Sequence, residues 1–298
     1  MSEEEPEEEE EERSQEGMGT RWSPAAGRQE IEARLTAIGR TAGAGFDLAE
    51  AALLLAALDR PRVGLDRYRA HLVEIGQAVR ALGALDLDEA AASLAEVLAV
   101  RLGYRGDEQT YDDLQNANLM RVIDRRRGLP VALAILYVDA ARRQGWAASA
   151  LRFPGHVLIR LEVDGRRTIL DPYHAGIRLE AAELRQLAKA IGGEGAELTP
   201  DHTMPLTDLE VLLRLQNNIK VRRLQQRQPA GGLAALETML LLSPGDWSLW
   251  LEAAELHQQL ENLGAAAVAL GHAADLAPSA SQRAEVERRL ASLRRRLN

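Results

Sequence analysis

Asp124-Arg-Arg-Arg-Gly-Leu-Pro130, the apolar run from Val131 to about Gln144, Phe153-Pro-Gly-His156 and Leu170-Asp-Pro-Tyr173 together decide how this chain is read. Pro130 suits the first position of a helix, where its missing N–H leaves no bond unmade. The helix that follows is apolar around most of its circumference, with Val131, Leu133, Ala134, Ile135, Leu136, Val138 and Ala141. A helix of that kind belongs inside, with neighbours on several sides. Gly145 ends it, and strands follow.

Ala147–Phe153 has the pattern of a strand. Val157, Ile159, Leu161 and Val163 alternate with His156, Leu158, Arg160 and Glu162, and Asp164-Gly165 is a two-residue hairpin signal ahead of Arg167–Leu170. With Asp164-Gly165 in the loop, Val163 faces Arg166, and counting back sets Leu158 against Asp171. His156 and Asp171 then share a face one diagonal step apart, with Cβ atoms about 7–8 Å from each other. A His–Asp hydrogen bond spans that distance.

Such a pair is two thirds of a Cys–His–Asp site, in which His acts as base and Asp fixes its tautomer and orientation. The thiol in those sites usually heads a helix, whose dipole lowers its pKa. The helix start at Pro130 is in that place, but proline has no nucleophilic atom and the 298 residues include no cysteine. Ser149, the nearest hydroxyl in sequence, lies within a strand with no reason to face His156. The bland alternative is that His156 and Asp171 only hold two strands in register. His156, Asp171 and His174 are close in sequence but form no recognised ligand motif, so no metal site and no cofactor is expected.

Composition bounds the rest. Hydrophobic residues at 46% and charged residues at 27% are ordinary for a globular protein large enough for about two domains. Residues 1–16 contain ten of the 45 acidic residues and one of the 36 basic ones, leaving 35 against 35 in the remainder. The net charge of −9 therefore belongs to the tail, and a run such as Glu7–Glu12 is expected to be disordered. Arg13–Arg28, rich in Gly, Ser, Pro and Ala, has the character of a linker. A neutral body with few aromatics argues against nucleic-acid binding. No apolar run reaches the 18 or so residues of a membrane helix. The cysteine-free composition fits a reducing cytoplasm, where the protein is expected.

From the linker to about residue 102 the pattern is helical. Asp47 caps a helix with Glu50 as its capping-box partner, Arg60-Pro61 ends it, and Leu65, Tyr68, Leu72, Ile75 and Val79 mark the apolar face of the next. Asp86 or Asp88 caps a third, with Leu94, Val97, Leu98 and Leu102 on one side; Tyr104–Gln115 is a loop. His71 is expected to serve surface or packing. Glu180–Ile191 is one more helix, and Gly192–Pro205 is a connector. Leu242-Ser-Pro244 and Leu276-Ala-Pro278 are 34 residues apart, the period of a tetratricopeptide (TPR) repeat. Counting back from Pro278 places Ala273, Leu270, Ala266 and Trp250 where that repeat wants Ala, a large apolar residue, Ala and Trp. The expected division is thus 1–27 tail and linker, 28–205 first domain, and 206–298 TPR-like helices, with the last helix a polar cap.

Asn116-Ala-Asn118-Leu, Asp124–Pro130, Leu136-Tyr137, Ala141-Arg142-Arg143 with Gly145, Phe153–His156 and Leu170–Tyr173 with Gly176 together resemble the SirB invasion-regulator-like family of bacterial proteins. The resemblance runs from about residue 45 to 280 and includes Leu215-Gln-Asn-Asn-Ile-Lys220. It implies an α+β fold: a helical N-terminal part leading into a transglutaminase-like (papain-like) core with a small antiparallel sheet, then an all-α TPR-like tail. Gly128-Leu-Pro130 is similar to the Gly-x-Cys tripeptide of active relatives, with Pro130 in the cysteine's place, and His156 and Asp171 look like the family's His and Asp. What this implies is a retained groove used to bind a protein or peptide partner, a pseudoenzyme. Asn118, Arg125, Arg126, Arg127, Gly128, Pro130, Tyr137, Gly155 and Tyr173 are its candidate binding residues. Two alternatives stand beside that expectation. One is a hydrolase with His156 as general base and Asp171 as its orienter; the other is a TPR-type scaffold.

Overall fold

The computed structural model describes residues 24–41 and 45–297. The acidic run and the first part of the expected linker lie outside them. Helix α1 spans Pro24–Thr41 and so starts inside the stretch taken for linker. Its Leu35 is buried, and at Gly39 an added Cβ would fall 2.5 Å from the Leu242 carbonyl oxygen, so the helix packs tightly on the C-terminal part of the chain.

Helices α2 (Leu48–Asp59), α3 (Asp66–Arg80) and α4 (Leu87–Ala95, running on as a π-helical turn over Glu96–Arg101) follow the expected pattern. Asp47 and Asp86 are the N-caps, accepting from the Glu50 and Glu89 amides. The expected capping box at α2 does not form, because the Glu50 carboxylate binds Arg34 (2.8 Å) and Arg69 (2.7 and 2.9 Å) instead. Two guanidinium partners outcompete one neutral amide.

The two-residue strands β1 (Arg105–Gly106) and β2 (Arg127–Gly128) pair in parallel around α5 (Leu119–Arg125). This pairing gives order to part of the stretch read as loop. Helix α6 (Pro130–Arg142) starts at Pro130, and every residue from Pro130 to Ala141 is buried. Burying side chains such as Leu133, Ile135 and Leu136 contributes about 1.5–3 kcal/mol each, and this helix is the centre of the main core.

Beside it lies an antiparallel sheet ordered β3 (Ala147–Ala150), β4 (Ile159–Val163), β5 (Arg166–Asp171) and β6 (Ile177–Leu179). Val163 pairs with Arg166 and Ile159 with Leu170, the register counted from the sequence. Asp164 (φ 49°) and Gly165 (φ 75°) make the turn; positive φ at both central residues matches the twist of a two-residue hairpin. β3 is shorter than expected, and the return β6 carried no sequence signal because three residues are too few to show a period. Helix α7 (Ala181–Gly192) packs Leu184 and Ala188 on Phe153, Leu158 and Leu179.

The C-terminal part is helical throughout: α8 (Asp208–Gln225), α9 (Pro229–Leu242), α10 (Trp247–Gln259), α11 (Leu263–Leu276) and α12 (Ala280–Leu297). Ala266, Leu270 and Ala273 are buried in a second core, and Trp250 donates from Nε1 to the Pro244 carbonyl at 2.8 Å. Packing continues across residue 205. Leu206, Val211, Leu212, Leu215 and Leu242 belong to the main core rather than to the second one.

Candidate functional site

His156 occupies the turn before β4, not a strand. Gly155 has φ +63°, and a Cβ there would meet Ile191 at 2.7 Å, so both conformation and space call for glycine. Asp171 is the last residue of β5. His156 Nε2 lies 3.0 Å from each Asp171 carboxylate oxygen, both residues are buried, and the pairing inferred from strand register is therefore made. The same carboxylate accepts from the Tyr173 amide at 3.0 Å, the His174 amide at 3.3 Å and His174 Nδ1 at 2.7 Å. Burial alone would raise the Asp171 pKa; the bonds from His156 and His174 outweigh it and hold the carboxyl below its usual range.

The Tyr173 ring stands edge-on to His156, with centroids 5.8 Å apart. Gly106 leaves the space in which that ring sits, since a Cβ would come within 2.4 Å of it. Tyr137 from α6 is fully buried, and its hydroxyl has no hydrogen-bond partner among the described residues. Burial, and next the Asp171 charge, push its pKa up.

His156 opens into a cavity of about 530 Å³ whose other walls include Tyr111, Leu129, Pro130, Gly155, Arg214, Asn217, Asn218, Met239, Asp246 and Leu249. One side belongs to the α6 start and the His156 turn; the other belongs to α8, α9 and the start of α10. Arg214 Nη2 donates to the Phe153 carbonyl at 3.0 Å and to the His156 carbonyl at 2.7 Å, clamping that turn to α8. A second cavity, of about 490 Å³, is lined by Gly106, Asp107, Arg127, Tyr173 and His174.

Of the residues singled out in the sequence, Pro130, Gly155 and His156 line the larger cavity, and Arg127 and Tyr173 the smaller one. Asn118 caps α5 and donates to the Ala56 carbonyl at 3.0 Å. Arg125 binds Asn116 and Asp107, both at 2.9 Å. Arg126 lies over the Tyr104 ring, bonds its hydroxyl, and reaches His71 Nε2 at 2.5 Å. Gly128 packs against Val122, where a Cβ would meet a methyl at 2.9 Å. These four bind neighbouring parts of the fold and are absent from the cavity walls. Tyr111, Arg214 and Asn217 were not foreseen as wall residues. The only hint was that Leu215–Lys220, which Arg214 adjoins, belongs to the family resemblance.

Residues 66–217 match the family model described as the transglutaminase-like superfamily, and residues 219–291 match that of the tetratricopeptide repeat. A UPF0162 protein of Pseudomonas aeruginosa is 31% identical over 219 residues, covering 72% of this chain and 78% of that protein. This chain belongs to the UPF0162 family. A UPF0162 protein of Xylella fastidiosa is 39% identical over 107 residues, which is 36% of this chain; the match spans little more than a third (38%) of that relative. The F-box only protein 21 of Mus musculus is 27% identical over 140 residues, or 47% of this chain and 20% of that protein. The transglutaminase-like and TPR parts expected for a SirB-like UPF0162 protein are both present, in the expected order. Among the described residues no helix is long and apolar enough to cross a membrane.

Proposed function

We propose that this UPF0162 protein is a non-catalytic transglutaminase-like module whose groove, running from Pro130 and His156 to α8 and α9, binds a peptide segment of a partner protein in the cytoplasm. The observation that carries this is the composite wall. The cavity beside His156 draws on the core through Pro130 and Gly155, and on the TPR-like tail through Met239 and Leu249. Its mixture of apolar surface and amides suits an extended peptide, whose main chain needs hydrogen-bond partners while its side chains fill apolar pockets. The head of α6 is a proline, and the sequence has no cysteine, so the thiol of a cysteine-type acyl transfer is lacking.

Selection from a random peptide display library tests this. Selected peptides are expected to bind the wild type and to lose most of their affinity for Asn217→Ala and Met239→Glu, with melting temperatures unchanged for the exposed Asn217 change. Peptides that bind both variants as well as the wild type overturn it. Turnover of amide or ester substrates that disappears in His156→Ala supports instead a hydrolase with His156 as base, the reading favoured by its bond to an ionised Asp171.

A further inference from the structure

His156 Nε2, an Asp171 carboxylate oxygen and a His174 ring nitrogen all lie within 4.8 Å of one another. Nothing in the spacing of these residues marks a metal motif. The strand end and the turn after it produce the cluster, by bringing His174 back onto the carboxylate that His156 already faces.

We propose that His156, Asp171 and His174 bind a divalent first-row transition-metal ion of the zinc or iron(II) kind. Two imidazoles and one carboxylate are a donor set for such ions and not for magnesium or calcium, which take oxygen ligands. Ligand bonds of about 2.0–2.2 Å require the present separations of 3.0 Å (His156–Asp171) and 2.7 Å (His174–Asp171) to open by only tenths of an ångström. Both contacts involve Asp171 Oδ2, with the two rings flanking the carboxylate at an interplanar angle of 34°.

Three further observations point to an ion. Asp171 is 2% exposed, and its only ion-pair partners among the described residues are the two histidines, so no arginine or lysine sits beside this buried carboxylate. The Tyr173 and His174 amides hold Asp171 Oδ1, an outer support of the kind that orients metal ligands. The buried Tyr137 hydroxyl, without a hydrogen-bond partner among the described residues, lies under the same turn: it is 2.7 Å from where a Cβ on Gly176 would sit. It is a ready partner for a water on the ion. Access is through the 490 Å³ cavity, which His174 lines. Three protein ligands leave a coordination position open, the composition of reactive rather than purely structural sites.

The proposal is independent of peptide binding and is tested without it, by titrating the purified full chain with Co²⁺, following its visible absorption, and displacing it with Zn²⁺. Binding of one ion per chain is expected. His174→Ala, at a half-exposed position, should fold normally and weaken binding by at least the roughly 10–100-fold that loss of a supporting group alone costs. Zn²⁺ should raise the melting temperature of the wild type and not of that variant, while His202→Ala and His272→Ala bind like the wild type. Absence of a Co²⁺ spectrum, or a spectrum unchanged in His174→Ala, overturns the assignment.

Discussion

Arg214 on α8 donates to the main-chain carbonyl of His156 at 2.7 Å, so a helix that leads into the TPR-like tail sets the position of the turn carrying the core's candidate histidine. The two family matches meet within α8, at residues 217 and 219, and the clamp lies just on the transglutaminase-like side of that junction. Removing this guanidinium leaves two carbonyls, those of Phe153 and His156, without their charged donor. Arg214→Ala should cost about 1.5–3 kcal/mol. Amide hydrogen exchange of residues 153–157 should rise more than that of α6, a contrast a general loss of stability would not produce.

Pro130 at the head of α6 offers a direct test of its correspondence to a cysteine position. Pro130→Cys places a thiol at a helix N-terminus in the cavity that His156 lines. Its alkylation rate should titrate well below the ordinary thiol pKa of about 8.5. In a Pro130→Cys/His156→Ala double variant that midpoint should move back up. A thiol titrating normally in the single variant would separate Pro130 from the His156 environment.

Lys220 on α8 is buried and lies 2.5 Å from Glu252 on α10. Lys220→Met should destabilise the chain by roughly 1–3 kcal/mol, because Glu252 loses its charged partner at a partly buried site. Glu252→Gln in the same background should recover part of that loss. The check is a double-mutant cycle by chemical denaturation.

His71 contributes a pH dependence of known sign. Burial, then the nearby Arg126 charge, push its pKa below the usual value, against a weaker upward pull from Glu74. The unfolded chain therefore takes up a proton near pH 6.5 that the folded chain resists. Stability from this residue is fully present above that pH and is lost as pH falls below it, until the folded-state pKa is reached. Melting temperatures measured from pH 7.5 to 5, a window around that value, should decline less steeply in His71→Gln than in the wild type.

Leu133 in the middle of α6 is completely buried in the main core. Leu133→Ala should cost about 2–5 kcal/mol. Equilibrium denaturation should show the midpoint moving with little change in slope.

Much of this architecture was legible locally. The apolar circumference of α6, the Asp164-Gly165 turn and the 34-residue spacing of Pro244 and Pro278 each express a short-range rule, and α6, the β4–β5 register and the paired C-terminal helices follow them. The bond between His156 and Asp171 was legible in part: the two-residue turn determines the register that sets Asp171 at the end of β5, whereas His156 reaches it from the turn ahead of β4. The expectation for Glu50 failed because its partners, Arg34 and Arg69, are 16 and 19 residues away, and no local pattern reports them. The short pairings β1–β2 and β6 had too few residues to carry a period.

The site divides along the same line. By itself the sequence determined that no cysteine nucleophile exists in this chain, that a proline opens the central helix, and that a histidine and an aspartate come together behind one hairpin. Composition and turn chemistry suffice for each. Only the tertiary structure decided that Arg214, Asn217 and Met239 complete the wall facing His156, that Arg125 and Arg126 turn to partners within the fold, and that His174 joins the Asp171 carboxylate. Those relationships depend on where α8, α9 and the turn after β5 come to rest. That is set by burial of apolar faces, which is non-directional and leaves no spacing in the sequence to count.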